Sequence, residues 1–172
     1  MIDISFAGGT VAVKMANGET ATISEFSADE NPVTVERITV ANGEATLNGQ
    51  AVFWRAPNLF TISIAVIPQS RADTQLGSLL HNAHIQPGNI APIRDLTVDS
   101  ITISAPLINA SGSQQSSAKN VWTFTNGRIT EGDPAITSAP DGKMQAKTYT
   151  FMMEKMSAPG KNTGLEAASV QQ

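Results

Sequence analysis

His81 and His84 are the only histidines in this chain of 172 residues, and they fall three apart. On a helix that spacing sets two imidazoles on one face, where a divalent metal could take nitrogen ligands. There is no cysteine and no third histidine, so Asp73 or Asp99 would have to complete the set. A pair of surface or interface histidines is the plainer reading, and we favour it. Other chemistry is scarcer still. Serines abound, but none lies in a Gly-x-Ser-x-Gly elbow. Asp141-Gly142-Lys143 has the composition of a turn. Gly8-Gly9-Thr10 is too short to cradle phosphate, and no Gly-x-x-x-x-Gly-Lys-Ser/Thr occurs. Asp29 and Glu30 crown a loop that could hold a hard cation, although two acids on such a tip are more often only solvated. Trp54 and Trp122 could stack on sugar rings; burial in a core is the expectation. No catalytic constellation emerges. The chain reads as non-enzymatic, with no cofactor.

The elements that position these residues are mostly strands. From Asn58 to Ile67, Phe60, Ile62, Ile64 and Val66 alternate with Thr61, Ser63 and Ala65, the period of a half-buried strand. Pro68 stops it. Ser70 then caps a helix over about 70–84, with Asp73 in its first turn to suit the dipole. Leu76, Leu79, Leu80 and Ala83 make its apolar stripe. Upstream, Ile2–Ala7 reads as a short strand. Val11, Val13 and Met15 mark a second, which turns at Asn17-Gly18 as a type I′ hairpin into a third over Glu19–Phe26. Val33–Val40 changes apolar phase, which predicts a bulge near Glu36-Arg37 or a passage between two environments. Asn42-Gly43 reads as a second hairpin turn. It leads into Glu44–Trp54, with Thr46, Asn48 and Gln50 on one face and Leu47, Ala51 and Phe53 on the other.

Beyond the helix, Gln86–Pro92 is a long turn and Leu96–Ala105 a strand. Asn109–Lys119 is rich in Ser, Gly and Gln and reads as a mobile loop. Asn120–Ile129 reads as strand, turn and continuation, Gly132–Gly142 as a turn-rich link, and Gln145–Met156 as the last strand, with Tyr149, Phe151 and Met153 facing together. The expectation is a mainly β fold, an antiparallel sandwich or barrel of some nine strands with one flanking helix. It occupies a single domain over 1–156, with a flexible tail over 157–172.

Composition narrows the function. Charged residues are 15% of the chain and the net charge is −4, which argues against gripping a phosphate backbone. No apolar run approaches the roughly 20 residues of a membrane span. Met1–Phe6 lacks the basic flank and apolar length of a signal peptide. These features predict a soluble, acidic, intracellular protein.

Three features in this order resemble a known family. They are Ile62–Ser70 with Leu76–Asn82 behind it, the upstream hairpin Ile38–Leu47, and the late strand Val121–Ile129. Together, from about Ile4 to Phe151, they resemble the tail-tube proteins of contractile-tailed bacteriophages. The likeness lies in pattern and order rather than in a diagnostic motif, and the Ser/Gln-rich loop and the tail after Met156 depart from it.

The resemblance implies a β-sandwich that self-assembles into hexameric rings, stacked as a tube in the virion tail and made in the host cytoplasm. Sheath, tape-measure and baseplate proteins would be partners, and DNA would pass through without specific binding. A lumen for a sliding polyanion should offer little attraction. Thr46, Asn48 and Gln50, with Thr61 and Ser63, would suit it, and equally suit an ordinary solvent-facing sheet. Asp29, Glu30 and Asn31, and Ser113, Gln114 and Gln115, sit in loops that would order when rings stack. The competing readings are a baseplate or tube-initiating protein, a type VI secretion-like tube protein, and a monomeric carbohydrate-binding module.

Overall fold

The computed structural model describes residues 6, 8–27, 30–84, 97–108 and 114–158, without the side chains of 107–108 and 114–118. The expected strand over Ile2–Ala7 apart from Phe6, the turn over Gln86–Pro92 and nearly all of the expected tail lie outside these residues, as do Asp29 and Ser113. Among the described residues there are nine strands and one helix. The strands are β1 (Thr10–Met15), β2 (Thr20–Ile23), β3 (Val33–Val35), β4 (Ala41–Ala45), β5 (Ala51–Arg55), β6 (Phe60–Val66), β7 (Thr97–Ile108), β8 (Gln114–Gly132) and β9 (Lys147–Ser157). The helix, α1 (Arg71–Ala83), follows β6.

Seven strands form one antiparallel sheet in the order β2-β1-β7-β8-β9-β6-β3, and β4 and β5 pair only with each other. The alternation expected in β6 is present: Ile62, Ile64 and Val66 are buried, while Thr61 and Ser63 face the other way. Cross-strand neighbours extend each apolar row. Val35, Ile62, Phe151 and Ile129 stand opposite one another across β3, β6, β9 and β8. Val13, Ile101 and Phe124 do so across β1, β7 and β8.

The sheet is rolled around this face. Strand β3 lies four places from β7, which in a flat sheet would separate them by about 19 Å. Yet Val33 and Val35 of β3 line the same cleft as Ile103 of β7. Part of the bend is local. The inward-facing phase switches between Val98 and Ile101 in β7, between Phe124 and Gly127 in β8, and between Met153 and the half-exposed Met156 in β9. These switches are at one level, because Ser100 faces Thr125 and Thr125 faces Lys155. An irregularity shared by three adjacent strands creases a sheet. Asn126, at φ 61°, sits on the crease, and its amide donates to Glu154 Oε2 at 2.5 Å. The turn expected inside Asn120–Ile129 is therefore absent. Its Asn-Gly pair bends a continuous strand instead of ending one.

Helix α1 covers the core with Leu76 and Leu79 fully buried and Leu80 and Ala83 packed against it. Ser70 caps it as its sequence predicts, its hydroxyl accepting from the Asp73 N–H at 3.2 Å. The helix approaches β8 closely where Gly132 lacks a side chain: a Cβ there would stand 2.8 Å from Tyr149 and 2.9 Å from Leu80.

Several local expectations are corrected. The β1–β2 connection is a three-residue loop, with Met15 and Glu19 bonded across it and only Gly18 at positive φ. It is not a type I′ turn, which would need Asn17 at positive φ too. The second hairpin turns at Asn48-Gly49, not at Asn42-Gly43, which lies inside β4. Hydrogen bonds from the Thr46 N–H to the Gln50 carbonyl and from the Gly49 N–H to the Thr46 carbonyl close it. Thr46, Asn48 and Gln50 therefore belong to this turn and form no strand face. Strand β3 ends at Val35, next to the predicted change of phase, and the Glu36 N–H still bonds the Thr61 carbonyl of β6. Gln114–Lys119 is not a loop: it is the start of β8, paired with β7 from Pro106 to Ile108.

Candidate functional site

The buried polar cluster is the first place to look for chemistry. Asp73 and Lys147 are the buried charged residues of the described chain, and their side chains meet at 2.9 Å between Lys147 Nζ and Asp73 Oδ1. Tyr149, also buried, donates its hydroxyl to Asp73 Oδ1 at 2.6 Å, and the Gln69 N–H donates to Asp73 Oδ2 at 2.9 Å. Burial alone would raise the Asp73 pKa, but the hydrogen bonds from Tyr149, Lys147 and Gln69 outweigh it and hold the carboxyl below its ordinary value. Burial likewise opposes the charge on Lys147, yet Tyr149 and Asp73 raise its pKa overall. Burial, with Asp73 as acceptor, pushes the Tyr149 phenol up to about 12. Each group is held in its resting charge state and none lines the apolar cleft of Val35 and Ile103, so the trio pins helix to sheet. Lys147 was legible in the sequence: it shares the phase of Tyr149, Phe151 and Met153, and a lysine on a buried face needs an acid partner.

The histidine pair does not assemble a metal centre. His81 and His84 are exposed at the end of α1 beside Glu131, and Asp73, at the other end, is already bonded. No group of three metal-ligating side chains occurs among the described residues. Asp99, Glu30 and Asn31 are exposed. Trp122 packs against the core as expected. Trp54 does not, being 49% exposed.

Trp54 belongs to the most unusual feature of the molecule. Every residue of β4 and β5 is exposed, as is every residue of the turn between them. Phe53 is 73% exposed, and Val40, Leu47 and Val52 are exposed with it. An isolated two-stranded hairpin is at best marginally stable in water, and apolar groups clustered on one projection mark a surface that meets another molecule. This arm continues the edge ribbon of β3 and β6. The Glu36 N–H bonds the Thr61 carbonyl at 3.0 Å, the Ala56 N–H bonds the Val40 carbonyl at 3.3 Å, and the Asn58 amide ties Thr39 to Ala56. The sequence carried the signal in Leu47, Val52, Phe53 and Trp54, but apolar residues of a strand read as core until the topology leaves that strand unpacked.

Two further surfaces complete the picture. One is an apolar cleft of about 470 Å³ lined by Phe6, Pro32, Val33, Val35, Ile103, Trp122, Phe124 and Met156. The other is the convex face of the sheet, where short hydroxyl side chains dominate: Thr61, Ser63, Thr102, Thr123, Thr125 and Thr150 alternate with buried neighbours. Ser63 and Thr150 hydrogen-bond across β6 and β9 at 3.0 Å. Of the expected polar positions, Thr61 and Ser63 thus share one sheet face, and Thr46, Asn48 and Gln50 lie apart at the tip of the arm.

A family model described as tail fiber protein gp32 matches residues 2–157. No curated protein sequence matches. Among solved structures, the cap of the anti-feeding prophage, described as the AFP tube terminating cap, aligns with a TM-score of 0.53 at 13% identity, covering 91% of each chain. The sheath/tube terminator of the extracellular contractile injection system PVC, in its extended state, aligns with a TM-score of 0.50 at 17% identity. That alignment covers 92% of this chain and 99% of the other. At such identities the likeness is one of fold.

Proposed function

Because the chain belongs to the tail fiber protein gp32 family, a family of phage tail components, we propose that it is a non-enzymatic structural subunit that assembles with copies of itself into a ring on the tail tube. The observation that carries this reading is the β4–β5 arm, a ribbon with both faces in solvent and no packing of its own. A subunit built to complete itself with neighbours needs such an element, whereas a monomeric enzyme or sugar-binding module does not. Ring closure would also cover the sheet edges at β2 and β3. The convex hydroxyl face around Thr61, Ser63 and Thr150 would then line the channel and offer little hold to a passing polyanion. Sheath, tape-measure and baseplate proteins are the partners this role implies, and the particle's tail is its location.

A second reading, a ring that ends the tube instead of extending it, is favoured by the descriptions of the two similar folds as tube-terminating proteins. Negative-stain microscopy of concentrated protein tests both. Rings that stack into long tubes support the tube subunit, and single rings or short stacks support the terminator. Protein that stays solitary at every concentration, alone and mixed with tube subunits, refutes the ring.

A further inference from the structure

We infer that the arm of one copy seats in the apolar cleft of the next, with Phe53 as the side chain that enters. This rests on the ring reading above and names its contact. One edge of the Phe53 ring approaches Gly43 on the paired strand: a Cβ at Gly43 would stand 2.6 Å from it. The same face of the arm carries Ala41, Ala45 and Ala51, with the exposed Arg55 opposite Ala41 at its base. Phe53 is thus the one large apolar side chain on this face of the two strands, set among small residues with Arg55 to one side. The cleft has the opposite shape and the same chemistry, an open hollow walled by Val35, Ile103, Trp122, Phe124 and Met156. Val35 and Met156 are 42% and 44% exposed at its mouth.

Neither surface satisfies the other within one chain. The arm is exposed along its whole length, so it does not fold back on its own body. Two unlike patches carried by every copy make a head-to-tail contact, which propagates and closes into a ring if the rotation allows. A buried aromatic anchor in a desolvated pocket is where such contacts concentrate their affinity. A second copy is the occupant these observations favour, because the same chain supplies both halves.

The absence of cysteine makes the test direct. Ala51→Cys, beside Phe53 on the same face of the arm, and Val35→Cys proteins are mixed at a concentration that gives rings and bridged with a short bismaleimide. The mixture should yield at least about tenfold more linked dimer than either protein alone, as expected for one preferred contact. Rings without that mixed link overturn the arm-and-cleft contact and leave the ring reading standing, whereas absence of any assembly overturns both. Ala51→Cys linking mainly to itself shows a symmetric arm-to-arm contact and overturns the proposal. So does a Val35→Cys thiol that maleimide cannot reach in the unassembled protein, since the cleft would then be filled by its own chain. Independently, Phe53→Ser, an exposed change that leaves the fold intact, should raise the concentration needed for assembly by about tenfold or more. An unchanged threshold overturns the proposal.

Discussion

The Tyr149 hydroxyl donates to Asp73 Oδ1 at 2.6 Å, while Lys147 Nζ reaches the same oxygen at 2.9 Å. One carboxylate oxygen in the first turn of α1 thus holds two side chains of β9, and the helix is fixed to the sheet through it. Tyr149→Phe removes one hydrogen bond to a charged group and should cost about 1.5–3 kcal/mol in urea unfolding. Asp73→Ala strands the Lys147 ammonium and should cost about 3–5 kcal/mol. The double variant should lose less than the sum, because both changes cut the same network.

The same cluster sets a pH dependence. The Asp73 pKa is lowered on folding, so its contribution is present above the unfolded carboxylate value, about 3.9. It is lost as pH falls through the folded value. Lys147 and Tyr149 have raised values, that of Tyr149 at about 12. Their contributions are present below the unfolded values near about 10 and are lost as pH rises through the folded ones. Thermal unfolding followed by circular dichroism should show a plateau between these limits. Asp73→Asn should flatten its acid limb.

Gly127 stands where β8 meets β9 most closely. A Cβ there would lie 2.1 Å from the Met152 carbonyl oxygen and 2.9 Å from Met153 Cα. The obstacle is backbone and cannot turn aside. Gly127→Ala should cost roughly 1–3 kcal/mol or more by overpacking, whereas Gly49→Ala, open on all sides but at φ 78°, should disturb only the tip of the arm. Denaturant midpoints compare the two.

The tryptophans should report separately. Trp54 is half exposed on the arm, while Trp122 packs against the core. Acrylamide should quench the first far more than the second, and Trp54→Phe should remove most of the quenchable emission. If the Phe53 face seats in the cleft, the Trp122 emission should shift to the blue, because Trp122 walls that cleft, while Trp54, on the opposite face of the arm, should change less. Emission that is equally shielded in dilute protein would contradict the exposed arm.

What the sequence made legible was strongest where local and long-range preferences agree. In β6 and α1 the alternation, the proline stop and the Ser70 cap all point to one answer, and the structure has it. The two Asn-Gly pairs at 42–43 and 48–49 carry the same local signal six residues apart. The choice between them is made by the register of Asn42 against Trp54, which no window of sequence contains. Gln114–Lys119 misled for a related reason: short polar residues read as loop, but pairing with β7 makes them strand. The polar positions suffered most. Placing Thr46, Asn48 and Gln50 on one face assumed an unbroken strand, and Gly49 breaks it.

Among the described residues the arm joins the body through the β3–β6 ribbon, and the two halves of that ribbon are held unequally. Strand β3 is a three-residue edge paired with β6 alone, whereas β6 is paired along its whole length with β9 as well. Tension applied at the arm would unzip β3 first, one rung at a time, and leave the core strands and the helix undisturbed. Such a seam is a sacrificial one: it yields and re-forms while the folded body stays whole.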